Sequence, residues 1–241
     1  MTATREAIVV CLDKSTGNQV WKQDRPSPAS GENEQSYATP FVYRDSERSF
    51  LLTHGADCIV AHDLGDGHEL WRSFGLQTAN YDRSLRLVAS PVAIPGLIIA
   101  PSAKRGRVLA LKPNGTGDIT GNGEFKYWEF PTTPDVPSPL IWDGIVYLYR
   151  ENGVLVALDA KTGEKHYEQR TREGNNRASP ILANGNLYVT ARDGTTTVVK
   201  AGPKFEVASI NRLEESMIAS PVVSNGRIYL RTHDALWAIG K

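Results

Sequence analysis

The segment Ser138-Pro139-Leu140-Ile141-Trp142-Asp143-Gly144-Ile145-Val146-Tyr147 decides the fold, because the chain repeats it. Ser179-Pro180-Ile181 and Ser220-Pro221-Val222 open two further copies. In all three a glycine stands five residues after the proline and a tyrosine three residues later: Gly144 and Tyr147, Gly185 and Tyr188, Gly226 and Tyr229. The residue before each glycine is Asp143, Asn184 or Asn225. A fourth copy has Ser90-Pro91 and Gly96, with Ile99 in the tyrosine place, and a fifth starts at Thr39-Pro40 with Asp45-Ser46 as its turn. The prolines fall at 40, 91, 139, 180 and 221, spacings of 51, 48, 41 and 41, which is the mark of a repeat architecture.

Each copy has the chemistry of a hairpin. Asp-Gly or Asn-Gly between two apolar runs supplies the positive φ angles of a tight turn. Ser-Pro marks the first residue of a strand, where a missing N–H costs least. A second signature places Asp, then Gly four residues on, then an aromatic eight residues on: Asp13/Gly17/Trp21, Asp63/Gly67/Trp71 and Asp159/Gly163/Tyr167. The aspartate holds its own turn, the glycine takes the left-handed position, and the aromatic opens the outer strand. Copies ending at Trp128 and near Val207 lack this signature, and the former carries a glycine-rich stretch at 113–123, read as a solvent-exposed turn.

The clearest copy therefore holds four strands, at 139–142, 145–149, 154–159 and 165–169. Four-stranded units at this period predict an all-β chain, a β-propeller of four-stranded antiparallel blades. A β-sandwich would not reproduce the same proline, glycine and tyrosine offsets. Residues 1–241 read as one propeller domain of about five blades, at 38–73, 89–130, 137–170, 178–210 and 219–241, preceded by the back half of another at 7–23. The last blade stops at its third strand, and 7–12 is a third strand without its first two. An open arc, the C-terminal portion of a larger ring, is the simpler reading of that duplication. Trp21, Trp71 and Tyr167 are expected to dock between adjacent blades.

Bulk properties exclude several classes. Hydrophobic residues make up 40% and charged residues 22%, which fits neither a disordered chain nor a membrane span. Lys plus Arg equals Asp plus Glu at 27 each, so no global field draws in nucleic acid or an anionic membrane. The N-terminal apolar run at 7–12 is too short for a secretion signal. Cys11 and Cys58 match no metal spacing and no redox motif, leaving one disulfide or two core thiols.

At Cys11 to Trp21 and Ala157 to Tyr167 the chain resembles the tryptophan-docking repeat of pyrroloquinoline-quinone-like (PQQ-like), quinoprotein-type propellers, Ala-x-Asp-x-x-Thr-Gly-x-x-x-Trp. Relatives of that family include quinoprotein alcohol dehydrogenases, the lipoprotein propeller of the outer-membrane β-barrel assembly machinery (BamB-like), and bacterial proteins described only by the repeat. The resemblance implies rings of seven or eight blades and a periplasmic or otherwise extracytoplasmic setting. Under it, a dehydrogenase would need PQQ, a calcium site of acidic and amide residues, a catalytic Asp and adjacent cysteines. Cys11 and Cys58 are not adjacent, and no segment carries the calcium ligands over residue by residue.

No GxSxG elbow, HExxH or phosphate-binding glycine loop is present. The five histidines, His54, His62, His68, His166 and His233, lie in different repeats or at no metal spacing and read as surface or hairpin residues. No catalytic, cofactor or metal residue is therefore assigned. What remains is a polar face. Turns between second and third strands (54–57, 104–107, 150–152, 192–193, 231–234) join two long linkers, 24–37 and 74–87, the latter holding Tyr81, Asp82, Arg83 and Arg86. Arg83, Arg105, Arg150, Arg192, Arg231, His233 and Asp234 form a candidate ligand rim there, beside the plainer account that hairpin turns are simply solvated. The expected function is a non-catalytic scaffold or binding module for a protein, peptide or glycan, with no nucleic acid and no membrane span. The alternative is a fragment of a PQQ-dependent dehydrogenase whose active site lies elsewhere.

Overall fold

The computed structural model describes residues 7–77 and 82–240, which form successive antiparallel sheets in chain order. The first holds β1 (Ile8–Leu12) and β2 (Gln19–Asp24). The second holds β3 (Phe41–Arg44), β4 (Ser49–Gly55), β5 (Cys58–His62) and β6 (Glu69–Phe74). The third holds β7 (Val92–Ile94), β8 (Leu97–Pro101), β9 (Val108–Leu111) and, after a short β10 (Gly117–Asp118), β11 (Lys126–Phe130). The fourth is β12 (Leu140–Trp142), β13 (Ile145–Tyr149), β14 (Val154–Asp159) and β15 (Lys165–Arg170). The fifth is β16 (Ile181–Ala183), β17 (Asn186–Thr190), β18 (Thr195–Lys200) and β19 (Val207–Arg212). The sixth has three strands, β20 (Val222–Ser224), β21 (Arg227–Arg231) and β22 (Leu236–Ile239). Two short 3₁₀ turns, Gly31–Glu34 and Gly123–Phe125, are the only helical elements among the described residues. No described helix is long and apolar enough to cross a membrane.

The blade architecture expected from the repeats is thus the one observed. Asp143, Asn184 and Asn225 all have positive φ, as do the glycines after them, the conformation that first-hairpin turns of this kind require. At the third-to-fourth-strand turn, Asp159 Oδ1 accepts the Thr162 N–H at 2.7 Å and its carbonyl accepts the Gly163 N–H at 2.8 Å. The register then slips, setting Tyr167 opposite Ala157. The serine of each Ser-Pro pair has a further task. The Thr39 N–H donates to Ser90 Oγ, that of Ser138 to Ser179 and that of Ser179 to Ser220, each at 2.9 Å, so these three hydroxyls each tie the start of one sheet to the next.

Contacts group into two compact units divided between Pro131 and Thr132. In the first, Tyr43, Phe50, Ile59 and Trp71 of the second sheet pack on Ile98, Leu109 and Leu111 of the third. In the second, Tyr147, Tyr149, Leu155 and Ala157 of the fourth sheet pack on Leu187, Val189 and Val199 of the fifth. Cys11 and Cys58 are free thiols.

The stretch at 113–123 is more than the exposed turn expected of it. β10 pairs in parallel with β6, Gly117 facing Trp71, and Thr120 Oγ1 accepts the Phe74 N–H at 2.8 Å. Ile119 is buried behind it. The free edge of β6 and an apolar side chain together fold the insertion back onto the second sheet.

Candidate binding face

The first unit builds its loop face from the two long linkers. Asn33 receives the second linker twice over: its N–H donates to the Arg83 carbonyl at 3.2 Å and its Nδ2 to that of Leu85 at 2.6 Å. Ser36 bridges Leu87 in parallel, and the Arg86 guanidinium lies 5.3 Å over the Tyr37 ring while reaching Glu32 at 3.5 Å. Beneath them the β4–β5 turn is pinned. Ser36 Oγ donates to the His54 carbonyl at 2.5 Å, and a Cβ at Gly55 would run into Ser36, which is why that position holds glycine.

A buried polar cluster supports this turn. Arg25 Nε donates to Thr53 Oγ1 at 2.8 Å, Nη1 to the Gly55 carbonyl at 3.1 Å and Nη2 to the Cys58 carbonyl at 3.0 Å. Burial pulls its guanidinium below the ordinary value. The network assigns the proton of His62 to Nδ1, facing the Gly67 carbonyl at 3.1 Å, so that Nε2 accepts from the Thr53 hydroxyl at 3.0 Å. His54 Nε2 donates to the Pro101 carbonyl at 2.7 Å, joining the second sheet to the third, while its Nδ1 is buried without a partner. Desolvation pushes the His54 imidazole down to about 3, so it is neutral in the fold. Asp57 Oδ1 accepts the Gln77 N–H at 2.8 Å, and burial raises its carboxyl.

The second unit repeats a simpler device. Asn176 is fully buried and knits three segments: its N–H donates to the Glu151 carbonyl at 2.7 Å, its Nδ2 to the Tyr149 hydroxyl at 2.9 Å, and its Oδ1 accepts the Arg192 N–H at 3.0 Å. A Cβ on Gly153 would overlap the Arg172 carbonyl, so the linker lies directly on the turn glycine. Arg172 in turn pairs with Asp193 at 2.7 Å.

The rim residues divide accordingly. Arg83 and Arg105 lie in the first unit, near Asp82, whose carboxyl is held low by Ser84 and, more weakly, by Arg105. Arg150, Arg192, Arg231, His233 and Asp234 lie in the second. Arg150 pairs with Glu168, and His233 Nδ1 lies 2.8 Å from Asp234 Oδ1. The guanidiniums of Arg83, Arg105, Arg192 and Arg231 are exposed and form no ion pair within 4.0 Å among the described residues. Tyr81 lies outside the described residues. His54 and His62, read from the sequence as surface or hairpin residues, lie on hairpin strands and are buried.

The aromatic positions sit as follows. Trp21 Nε1 donates to the Leu64 carbonyl at 3.2 Å, and its ring covers Gly67, both in the β5–β6 turn of the next sheet. Trp71 lies against Gly115 and Ile119 in the segment after β9. Tyr167 meets Phe205, in the β18–β19 turn, edge-on at 5.5 Å. Trp128, which lacks the Asp/Gly turn, is nevertheless buried and stands opposite Ala110 beside the same register slip.

Among the described residues, one group of three His, Cys, Asp or Glu side chains converges closely enough to hold a metal: Asp63, Asp66 and His68. It occupies a largely exposed strand-to-strand turn. Asp63 accepts the Gly65 N–H at 2.7 Å and Asp66 the His68 N–H at 3.0 Å. These residues do not fit the enclosed acidic-and-amide set that calcium and a quinone would need.

Residues 1–124 and 126–202 match the family model described as outer membrane protein assembly factor BamB. No curated protein sequence matches the chain significantly. Among solved structures, BamB from Moraxella catarrhalis superposes with a TM-score of 0.75 at 17% identity, over 97% of this chain and 66% of that one. Quinohemoprotein alcohol dehydrogenase from Comamonas testosteroni gives 0.65 at 14%, over 92% and 48%. The computationally designed Ika8 protein gives 0.63 at 14%, over 98% and 70%. The chain thus spans just under two thirds of the length of the BamB structure it resembles.

Proposed function

The chain belongs to the PQQ-like propeller family typified by outer membrane protein assembly factor BamB, and we propose that it works as a non-catalytic, extracytoplasmic protein-binding module whose loop face receives the partner. One observation carries this reading. In the second unit the turns and linkers are locked by buried polar bonds, as at Asn176, while Arg192 and Arg231 stand exposed and unpaired among the described residues. A locked backbone carrying uncommitted guanidiniums suits carboxylates or carbonyls of a partner's loop, because the turns need not be ordered on binding and each planar guanidinium can make paired, charge-assisted bonds. Glycan and peptide ligands use the same donors and are the narrower variants of this reading. A quinone-dependent reaction draws no support from the donor set.

Photo-crosslinking side chains placed at Arg192 and Arg231, with Lys165 and Lys200 as controls, test the proposal in extracytoplasmic extracts. A discrete adduct is expected at each of the first two positions, weakened at least 10-fold by Arg231→Glu when the crosslinker stands at 192 and by Arg192→Glu when it stands at 231. Equal labelling at the controls would overturn it. So would alcohol-dependent dye reduction after adding the quinone and calcium to the purified chain.

A further inference from the structure

β6, β11, β15 and β19 are equivalent fourth strands, and β6 shows what the outer edge of such a strand accepts. β10 runs parallel beside it, Gly117 facing Trp71 and Asp118 facing Arg72. The Ile119 N–H donates to the Arg72 carbonyl at 2.9 Å, and the Phe74 N–H donates to Thr120 Oγ1 at 2.8 Å. Ile119 itself is buried in the cluster that holds Trp71. An extended segment thus adds to a blade's outer edge by main-chain bonds and one apolar side chain, the mode of β-strand addition.

β11 and β15 leave the same edge without a strand among the described residues, but they carry charge along it. The second residue before the aromatic and the residue after it form an ion pair: Lys126 with Glu129 and Lys165 with Glu168, each at 2.8 Å. Glu69 and Arg72 pair in the same way on β6, and β2 has Lys22 at the second position. Charged side chains on a free edge oppose the addition of a further strand. On β19 the register is the same and the charges are gone. Val207 takes the place of Lys165 and Ile210 that of Glu168, opposite Val199 and Thr197, and they are 41% and 64% exposed. No residue from Val207 to Asn211 is charged. Ile210 and Arg212 stand where Arg72 and Phe74 offer their carbonyl and N–H to the added segment, and no described strand pairs with them there.

We propose that β19 is an acceptor edge for an extended, uncharged segment of a partner protein, added to β19 as β10 is added to β6. The class of occupant follows from β10 and from the surroundings. Ile119 fills the space beside Trp71; on β19 that place belongs to Ser209, and the groove beside it is lined by no charged side chain, so the added strand carries an apolar residue there. A second copy does not fit the pattern set by β10, because two β19 edges brought together by a two-fold axis would run antiparallel. Positions 207–211 hold no rim residue, so this contact is separate from the one proposed for Arg192 and Arg231.

Fluorescence anisotropy on the full chain, with a capped and labelled six-residue peptide of alternating threonine and valine, tests the inference. Saturable binding to the parent is expected. Val207→Lys plus Ile210→Glu restores the charge pair of β15 at two exposed positions, and should weaken binding at least 10-fold with unchanged far-ultraviolet circular dichroism. A second readout needs no variant. An added strand bonds through one of its own edges, so probes N-methylated at the threonines or at the valines should differ at least 10-fold in affinity for the parent. Absence of binding would overturn the proposal, as would equal affinity of parent and variant or equal effects of the two methylations. Self-association of the parent in sedimentation velocity, abolished by the same variant, would overturn it too by making a second copy the occupant. None of these measurements reads the Arg192 and Arg231 crosslinks, so either proposal can fail without the other.

Discussion

Trp71 and Ser209 occupy the same place in their sheets, and their surroundings are opposite. Each is the fourth-strand residue that faces the third strand beside the register slip, Trp71 opposite Ala61 and Ser209 opposite Val198. Trp71 is sealed between sheets, edge-on to Phe50 at 6.0 Å and closed off by Gly115 and Ile119. Around Ser209 a groove of about 440 Å³ lies open, lined among others by Thr196, Val198, Ile228, Leu230 and Ile239. Yet β19 pairs with β18 over its whole length without an aromatic and without the Asp/Gly turn. Strand pairing is therefore set by backbone register, and the aromatic serves adhesion between sheets. The chain holds a strong joint at Trp71 and a weak one at Ser209.

The contrast makes its largest demand on Trp71. Trp71→Ala empties a fully buried site and should cost about 3–5 kcal/mol. Ser209→Ala, on a strand exposed along its length, should stay within about 0.5 kcal/mol. Urea denaturation of both variants decides the matter, and a Trp71→Ala protein melting within a degree of the parent would abolish the distinction.

Acid should weaken the strong joint in a second way. His54 spans the second and third sheets through its bond to Pro101 and is kept neutral by burial, its value pushed down from 6.5 to about 3. Because the folded value lies below the unfolded one, the stability it protects is complete above about pH 6.5 and is lost as pH falls toward 3. Near pH 5 the loss should be about 2 kcal/mol at ~1.4 kcal/mol per pH unit. His62, lowered by burial too, adds in the same direction. Denaturation midpoints at pH 7 and pH 5 measure this, and His54→Gln should flatten much of the difference. An unchanged slope in that variant would move the acid sensitivity elsewhere.

The features that sequence revealed are those in which backbone conformation forces a residue type. Asn225-Gly226 demands a left-handed turn and Ser220-Pro221 a strand start, so offsets alone placed the blades. The polar scaffold was hidden for the opposite reason. Arg25 follows Asp24 in what reads as a charged linker, and nothing local says that its guanidinium meets carbonyls at Thr53, Gly55 and Cys58. Arg86 and Glu32 lie 54 residues apart, a pairing without periodicity. His54 and His62 alternate on strands like ordinary polar residues, and only the packing of neighbouring sheets buries them. The aromatic of the third sheet was half legible: Trp128 keeps its place by register after its turn signature has gone.

The smallest effect is expected at the weak joint, and it tests whether the groove is a vacated aromatic place or merely a gap. An aromatic at 209 would project beside the same register slip that presents Tyr167 and Trp128, toward Ile228 and Leu230 on the sixth sheet. Covering those side chains removes apolar surface from water, while ordering a ring that turns about only two bonds costs little entropy. The Ser209 hydroxyl is exposed and accepts only from Asn211 Nδ2 at 3.1 Å, a bond between two exposed residues that is readily replaced by water. Ser209→Phe should therefore raise stability by about 1 kcal/mol, in the range of cavity-filling substitutions. A rise of a few degrees in melting temperature, with Ile228→Ala cancelling most of it, would establish that the ring seats on the sixth sheet. Equal destabilisation by Ser209→Phe and Ser209→Asp would show instead that the register no longer aims this position at its neighbour, and the equivalence with Trp71 would fall.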